Sequence, residues 1–172
     1  MFRRLKARAT AMKTISALLS QAEEIARRRG VERPGAEHLL SAALQLPDGT
    51  AARALERVGL TAADFDAALA AQEAEDLERI GIHVADERIS TELPPPSDPA
   101  GIYRSEPSAQ DLFQAAGEDA RRGGGTLVGA HVLRAAAALE LGPTARALRR
   151  MGIDRAQLQE AASAEIETQR SA

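Results

Sequence analysis

Apolar residues recur at helical spacing along most of the chain, and short breaks separate the periodic stretches. In the first stretch, residues 12–29, the apolar side chains share one face, and a basic extension runs back to Phe2. Gly30 is expected to close this helix in the left-handed conformation. The pattern predicts further helices over residues 37–46, 50–58, 61–74, 75–82, 107–122, 130–141, 144–151 and 154–168. The expected N-terminal caps are Thr61 with Asp64, Ser108 with Asp111, and Asp154 with Gln157.

The same order of elements occurs twice in the chain. Gly35, before the second helix, corresponds to Gly129 at an offset of 94 (129 − 35), whereas Gly59 corresponds to Gly152 at an offset of 93 (152 − 59). The change of offset predicts that the second copy lacks one residue between its equivalents of Leu40 and Ala52. A chain built twice from one four-helix unit is expected to be a repeat protein.

The repeat predicts three segments within one domain. Residues 1–74 form the first unit with its basic extension, and residues 107–172 form a second, divergent unit. Residues 75–106 hold the short helix and a proline-rich linker at residues 93–101, where successive prolines exclude regular structure. Because alanine supplies much of the apolar fraction, we expect an all-α fold with thin packing layers.

Composition and charge limit the class of protein. The sequence is 44% hydrophobic and 27% charged, as in soluble globular proteins, and it has no cysteine for disulfides or a thiolate zinc site. It contains no long apolar run for a membrane span and no secretory signal, so we expect a cytoplasmic protein. Residues 1–33 carry nine Lys or Arg and three Glu, whereas residues 61–92 carry nine Asp or Glu and two Arg. Two solvated helix faces, or a basic arm docked on an acidic partner or segment, would explain this asymmetry.

No catalytic motif can be assembled from the spacing. The glycine run at residues 123–125 lacks the lysine of a phosphate-binding loop, since Lys6 and Lys13 lie far upstream. The three histidines are scattered and form no helical metal pair. We therefore expect a protein that is not an enzyme and needs no cofactor or metal.

Two runs, residues 52–61 and 145–154, resemble helix-turn-helix elements, so a DNA-binding transcriptional regulator is an alternative function. The helices that follow these runs are rich in carboxylates, which would repel phosphate groups. Glu37 is a separate candidate, because it lies in the first turn of its helix. It is either a carboxylate that stabilises the helix dipole or an acceptor for a partner's guanidinium or amide groups.

The sequence is similar to the Clp amino-terminal repeat domain of the Hsp100 chaperone ATPases, in the form of stand-alone actinobacterial members without ATPase modules. The similarity rests on Met1-Phe2-x-Arg4, Ala22-x-x-x-Ala26, Gly35-x-Glu37-His38-Leu39-Leu40, Asp48-Gly49-x-Ala51-Ala52-Arg53-x-Leu55-x-x-x-Gly59 and residues 75–82, and in the second copy on Gly129, Leu133, Ala145-Arg146-x-Leu148 and Gly152.

The resemblance implies two pseudo-twofold-related four-helix repeats that recruit adaptors or substrates for the Clp unfoldase and protease. It also implies peptide binding near Phe2 and recognition of phosphorylated arginine by the glutamate that Glu37 matches. Two residues depart from the pattern: Ala36 replaces a threonine, and His131 stands where the second glutamate is expected. The candidate ligand-binding residues are Phe2, Glu37, His38 and His131. The expected partners are Clp ATPase or protease components, adaptors, substrate peptides or cyclic peptides, and not nucleic acid or membrane.

Overall fold

The computed structural model describes the backbone of residues 2–79 and 104–171 and the side chains of residues 11–79 and 104–171. Within these stretches the chain forms α-helices and no strand. The helices are α1 (Phe2–Arg28), α2 (Ala36–Leu44), α3 (Thr50–Arg57), α4 (Ala62–Arg79), α5 (Pro107–Arg122), α6 (Gly129–Ala138), α7 (Gly142–Arg150) and α8 (Arg155–Ser171). The predicted all-α class is confirmed.

The helix bounds follow from local signals in the sequence. Thr61 and Asp64 form the predicted capping box, with Thr61 N–H donating to Asp64 Oδ2 at 2.7 Å and Asp64 N–H to Thr61 Oγ1 at 3.3 Å. Asp154 caps α8 through the N–H of Ala156 at 2.8 Å. Gly30 ends α1 with φ of 72°, as expected for a glycine that closes a helix.

The predicted break near residue 74 is wrong. α4 continues through Glu75 to Arg79, because residues 70–79 contain good helix formers and neither glycine nor proline. Residues 75–79, which were predicted to begin a separate helix, are therefore the last residues of α4. Residues 80–82, the proline-rich linker and His83 lie outside the described residues.

The structure also corrects the register of the two repeats. Gly30 and Gly124, which follow α1 and α5, both have positive φ and are 94 residues apart (124 − 30). The N-caps of α2 and α6 are Gly35 and Val128, which are 93 residues apart (128 − 35). The missing residue therefore lies in the α5–α6 loop, and not between the equivalents of Leu40 and Ala52. As a consequence His131 corresponds to His38, and Ala130 corresponds to Glu37.

The repeats pack with exchanged partners, as a pseudo-twofold arrangement requires. α3 packs against α8 and α6, and its counterpart α7 packs against α4 and α2. Small residues allow the central helices to approach closely: a methyl group added to Gly129 would stand 2.8 Å from the carbonyl oxygen of Ala43 and 3.0 Å from Ala51 Cβ. The core is rich in leucine and alanine, with Phe65 as its largest fully buried side chain. This burial supplies the main stabilising term of such a fold.

Candidate binding site at the start of α2

The start of α2 is built from residues of both repeats. Gly35 is its extended N-cap, and the N–H of Gly35 donates to Nδ1 of His38 at 3.0 Å. The next N–H, that of Ala36, donates to Oγ of Ser108 on α5 at 3.2 Å. Ser108 was expected to cap its own helix, but the N-cap of α5 is Glu106 and Ser108 caps α2 instead. α5 thereby fixes one wall of the site.

Glu37 lies over this helix start. Its side chain is 15% exposed, and a methyl group on Gly35 would clash with the carboxylate at 2.4 Å from Oε1. Burial raises the pKa of the Glu37 carboxyl, but a hydrogen bond from His38 when its Nδ1 carries a proton, the N–H of Glu37 and the charge of Arg29 together lower this pKa below its ordinary value. Glu37 is therefore an ionised, partly accessible acceptor at neutral pH.

His38 Nδ1 has two polar neighbours, the N–H of Gly35 at 3.0 Å and Oε1 of Glu37 at 3.1 Å. A ring protonated on Nε2 accepts from Gly35, whereas a ring protonated on Nδ1 donates to Glu37, so one tautomer does not make both bonds. The equivalent ring of His131 accepts from the N–H of Val128 at 3.2 Å. Because both repeats keep this bond, we assign the acceptor role to Nδ1 of His38 in its neutral form, where the ring helps cap α2.

The second repeat has no counterpart of the Glu37 carboxylate. Ala130 occupies that position, and side chains of the first repeat close the start of α6. The N–H of Gly129 donates to Asp48 Oδ2 at 3.2 Å, and the N–H of Ala130 donates to Thr50 Oγ1 at 2.9 Å. Both helix starts therefore take caps from the other repeat, but they differ in charge. α2 presents the Glu37 carboxylate, and α6 has an alanine in its place.

The structure brings together only part of the predicted site. Glu37 and His38 are adjacent, whereas His131 lies at the start of α6, and no hydrogen bond or ion pair joins it to Glu37 in the described part of the chain. The backbone of Phe2 belongs to α1, and its side chain is outside the described residues. Ser108 was missed as a member of the site because its role is visible only after the two repeats are packed together.

Four of the five arginines in the two helix-turn-helix-like runs are engaged in ion pairs between the repeats. Arg53 and Arg57 donate to Glu165 at 2.8 and 2.7 Å. In the corresponding place on the other side, Arg146 donates to Asp76 at 3.2 Å and Arg150 to Glu75 at 2.6 Å. Gln72 also belongs to this second cluster: with its amide oriented to satisfy its neighbours, it accepts from Arg146 Nη2 at 3.0 Å and donates to the carbonyl of Pro143 at 3.1 Å.

Residues 2–79 and 104–171 contain no group of three His, Asp or Glu side chains placed to hold a metal ion. Within the same residues no helix combines the length and the apolar character that crossing a bilayer requires.

Comparisons with known proteins agree with this architecture. A family model described as the Clp repeat (R) N-terminal domain matches residues 12–130. A comparison with curated proteins finds no match. Among solved structures, the N-terminal domain of the caseinolytic protease associated chaperone ClpD from Arabidopsis thaliana is 18% identical, with a TM-score of 0.54 and coverage of 91% of this chain and 92% of that one. At this identity the structural likeness concerns the fold.

Proposed function

The chain belongs to the Clp repeat N-terminal domain family, and we propose that it is a non-catalytic binding module of the Clp chaperone–protease system, acting as an accessory, adaptor or decoy. In this proposal a peptide or protein partner binds at the start of α2. The observation that carries it is the asymmetry of the two helix starts: Glu37 is partly exposed on α2, and the equivalent residue on α6 is Ala130, beneath a cap from the other repeat.

The chemistry of this site favours a cationic or amide donor from the partner. An ionised carboxylate accepts two hydrogen bonds from a guanidinium group, and such charge-assisted bonds are stronger than neutral ones. The charge of Arg29 favours the ionised carboxylate, and the Ser108 cap holds the backbone beside it. Ala36 removes the hydroxyl that relatives have beside the glutamate, so we propose a peptide ligand and do not require phosphorylated arginine.

DNA binding is not favoured by any contact at these helices. The helices that would enter the major groove are α4 and α8, and each packs against the other repeat, α4 on α7 and α8 on α3. Four of the five arginines in the two runs bind Glu165, Glu75 or Asp76 and are not free to neutralise phosphates. A gel shift at physiological ionic strength is expected to show no retardation of DNA.

Calorimetry with a Clp ATPase, its adaptors and arginine-containing peptides, with and without arginine phosphorylation, tests the proposal. We expect binding to at least one of them, and we expect Glu37→Gln to weaken it about tenfold by removing a charge-assisted acceptor. The matched control is Glu32→Gln, which removes an exposed carboxylate from the neighbouring α1–α2 loop. Absence of binding to every one of these partners would overturn the proposal.

A further inference from the structure

A small cavity of 270 Å³ lies in the second repeat, between the α5–α6 loop and the end of α8. Its inner walls are buried residues, and its mouth is polar and exposed. The buried set is Val128, His131 and Ile166, and the exposed set includes Thr126, Gln169 and Arg170. A cavity of this size holds several water molecules or one small organic molecule.

His131 brings a hydrogen-bond donor to this cavity. The residue is 3% exposed, and its Nδ1 accepts from the N–H of Val128 at 3.2 Å. The neutral ring therefore carries its proton on Nε2. Burial lowers the pKa of His131, and the nearby charge of Asp119 offsets only part of this effect, so the ring is neutral at pH 7. No hydrogen bond joins Nε2 of His131 to a described group, and unlike Nε2 of His38 this atom is not fully enclosed, so a ligand in the cavity can reach it.

The equivalent histidine of the first repeat has different surroundings. His38 makes the same Nδ1 bond to the N-cap, but its Nε2 is enclosed and has no partner. The α1–α2 loop beside it is one residue longer than the α5–α6 loop, as the register of the repeats shows. In the second repeat the shorter loop contributes Gly124 and Gly125 to the cavity wall, where no side chain fills the space.

The charge of the cavity selects the ligand. Arg170 is the charged residue among those that line it, and Arg170 forms no ion pair with a described residue. No carboxylate lines the cavity, and Val128 and Ile166 give it an apolar wall. We propose that this cavity binds a short-chain aliphatic carboxylate: one carboxylate oxygen accepts from Nε2–H of His131, the other accepts from the Arg170 guanidinium, and the alkyl group packs against Val128 and Ile166.

Nuclear magnetic resonance of the histidine side chains tests this site, with isovalerate as the probe. In the full chain with ¹⁵N-labelled histidine, we expect isovalerate to shift the Nε2 signal of His131 and to saturate with a dissociation constant on the order of 1 mM, and to leave His38 unchanged. Isoamyl alcohol, which has the same alkyl group without the charge, is expected to cause no saturable shift. An unchanged His131 signal, equal shifts at both histidines, or equally tight binding of inorganic phosphate would overturn the proposal.

Two matched variants separate this site from general charge attraction. Arg170→Gln is expected to weaken isovalerate binding about fivefold or more, because it removes one charge-assisted bond. Arg121→Gln removes an exposed arginine near the same glycine run, outside the cavity, and is expected to leave the affinity unchanged. Equal weakening in both variants would contradict the assigned contacts. Circular dichroism of each exposed-site variant confirms that it is folded.

Discussion

Glu165 is a buried carboxylate on α8 that two arginines of the other repeat hold in place. Its side chain is 3% exposed, whereas those of Arg53 and Arg57 are about half exposed, so the charge is compensated at the edge of the core. Burial raises the pKa of the Glu165 carboxyl, but the hydrogen bonds and charges of the two arginines lower it by more. The pKa of Glu165 therefore lies below its ordinary value. The ion pair therefore favours the folded state when Glu165 is ionised.

We expect Glu165→Gln to lower the free energy of unfolding at pH 7 by about 1–3 kcal/mol, because a buried amide replaces a carboxylate that accepts two charged hydrogen bonds. Urea denaturation measures this difference. Glu167→Gln is the control, since Glu167 is an exposed carboxylate on the same helix. Equal stability of the two variants would show that the exposed arginines contribute nothing through Glu165.

The Glu165 contribution should also depend on pH in a defined direction. Its pKa is lowered on folding, so the stabilisation is complete above the unfolded pKa of about 4.3 and is lost as the pH falls through the lower folded value. The stability difference between the parent and Glu165→Gln is expected to be constant from about pH 6 to 8 and to shrink below about pH 4. A difference that grows with acidification would contradict the lowered pKa.

The two central helices, α2 and α6, depend on side-chain caps that come from the other repeat. Ser108 caps α2, and Asp48 and Thr50 cap α6, so each central helix takes caps from the other repeat in addition to its own histidine. A side-chain cap contributes typically about 1 kcal/mol, and its loss is felt first in the turn that it closes. The caps therefore couple the formation of the two central helices to the docking of the repeats.

Ser108→Ala is expected to lower the free energy of unfolding by about 1 kcal/mol and to speed amide hydrogen exchange in the first turn of α2. Ser20→Ala, at an exposed position of α1, is the control and should leave both quantities unchanged. If faster exchange were confined to α5 and spared α2, Ser108 would be acting as a cap of its own helix.

The close approach of α6 to the end of α2 predicts that a larger residue at Gly129 destabilises the fold. Gly129→Ala is expected to destabilise the protein by about 1–3 kcal/mol, because the added methyl would stand 2.8 Å from the carbonyl oxygen of Ala43, and helix backbone yields less easily than a flexible side chain. Gly125→Ala is the control: nothing lies within 4 Å of its added methyl. Thermal unfolding measures both, and equal melting temperatures would disprove the tight contact.

The sequence predicted the positions of the helices better than the register of the repeats or the contacts between them. Helical periodicity and the caps at Thr61 and Asp154 predicted most helix bounds within a few residues. The repeat register failed because glycine identity was matched between Gly35 and Gly129, whereas the position of a histidine in the first turn is what the repeats share. The role of Ser108 depends on a contact across 72 residues of chain, which local patterns do not encode.

At the scale of the whole molecule the two repeats are interdependent. α3 of the first repeat covers α8 of the second, and α7 covers α4 in return. Separation would expose these apolar faces, remove the caps of α2 and α6, and leave Glu165 on an apolar surface without its arginines. We expect each half alone to bury too little apolar surface to offset its conformational entropy, because small chains bury a smaller fraction of their surface.

We therefore expect residues 104–172, prepared alone, to show reduced helicity and a broad, non-cooperative thermal transition by circular dichroism. Addition of residues 1–79 is expected to restore both the helicity and the sharp transition.

A variant of the added fragment tests the part that ion pairs play in this assembly. Arg53→Ala with Arg57→Ala should weaken the restoration, because it removes both partners of Glu165. If the variant fragment restored helicity and cooperativity as well as the parent fragment does, the apolar faces of α3 and α8 alone would drive assembly. If residues 104–172 alone unfolded as cooperatively as the full chain, the second repeat would be an independent domain, and the exchange of caps and ion pairs between repeats would not hold the fold together.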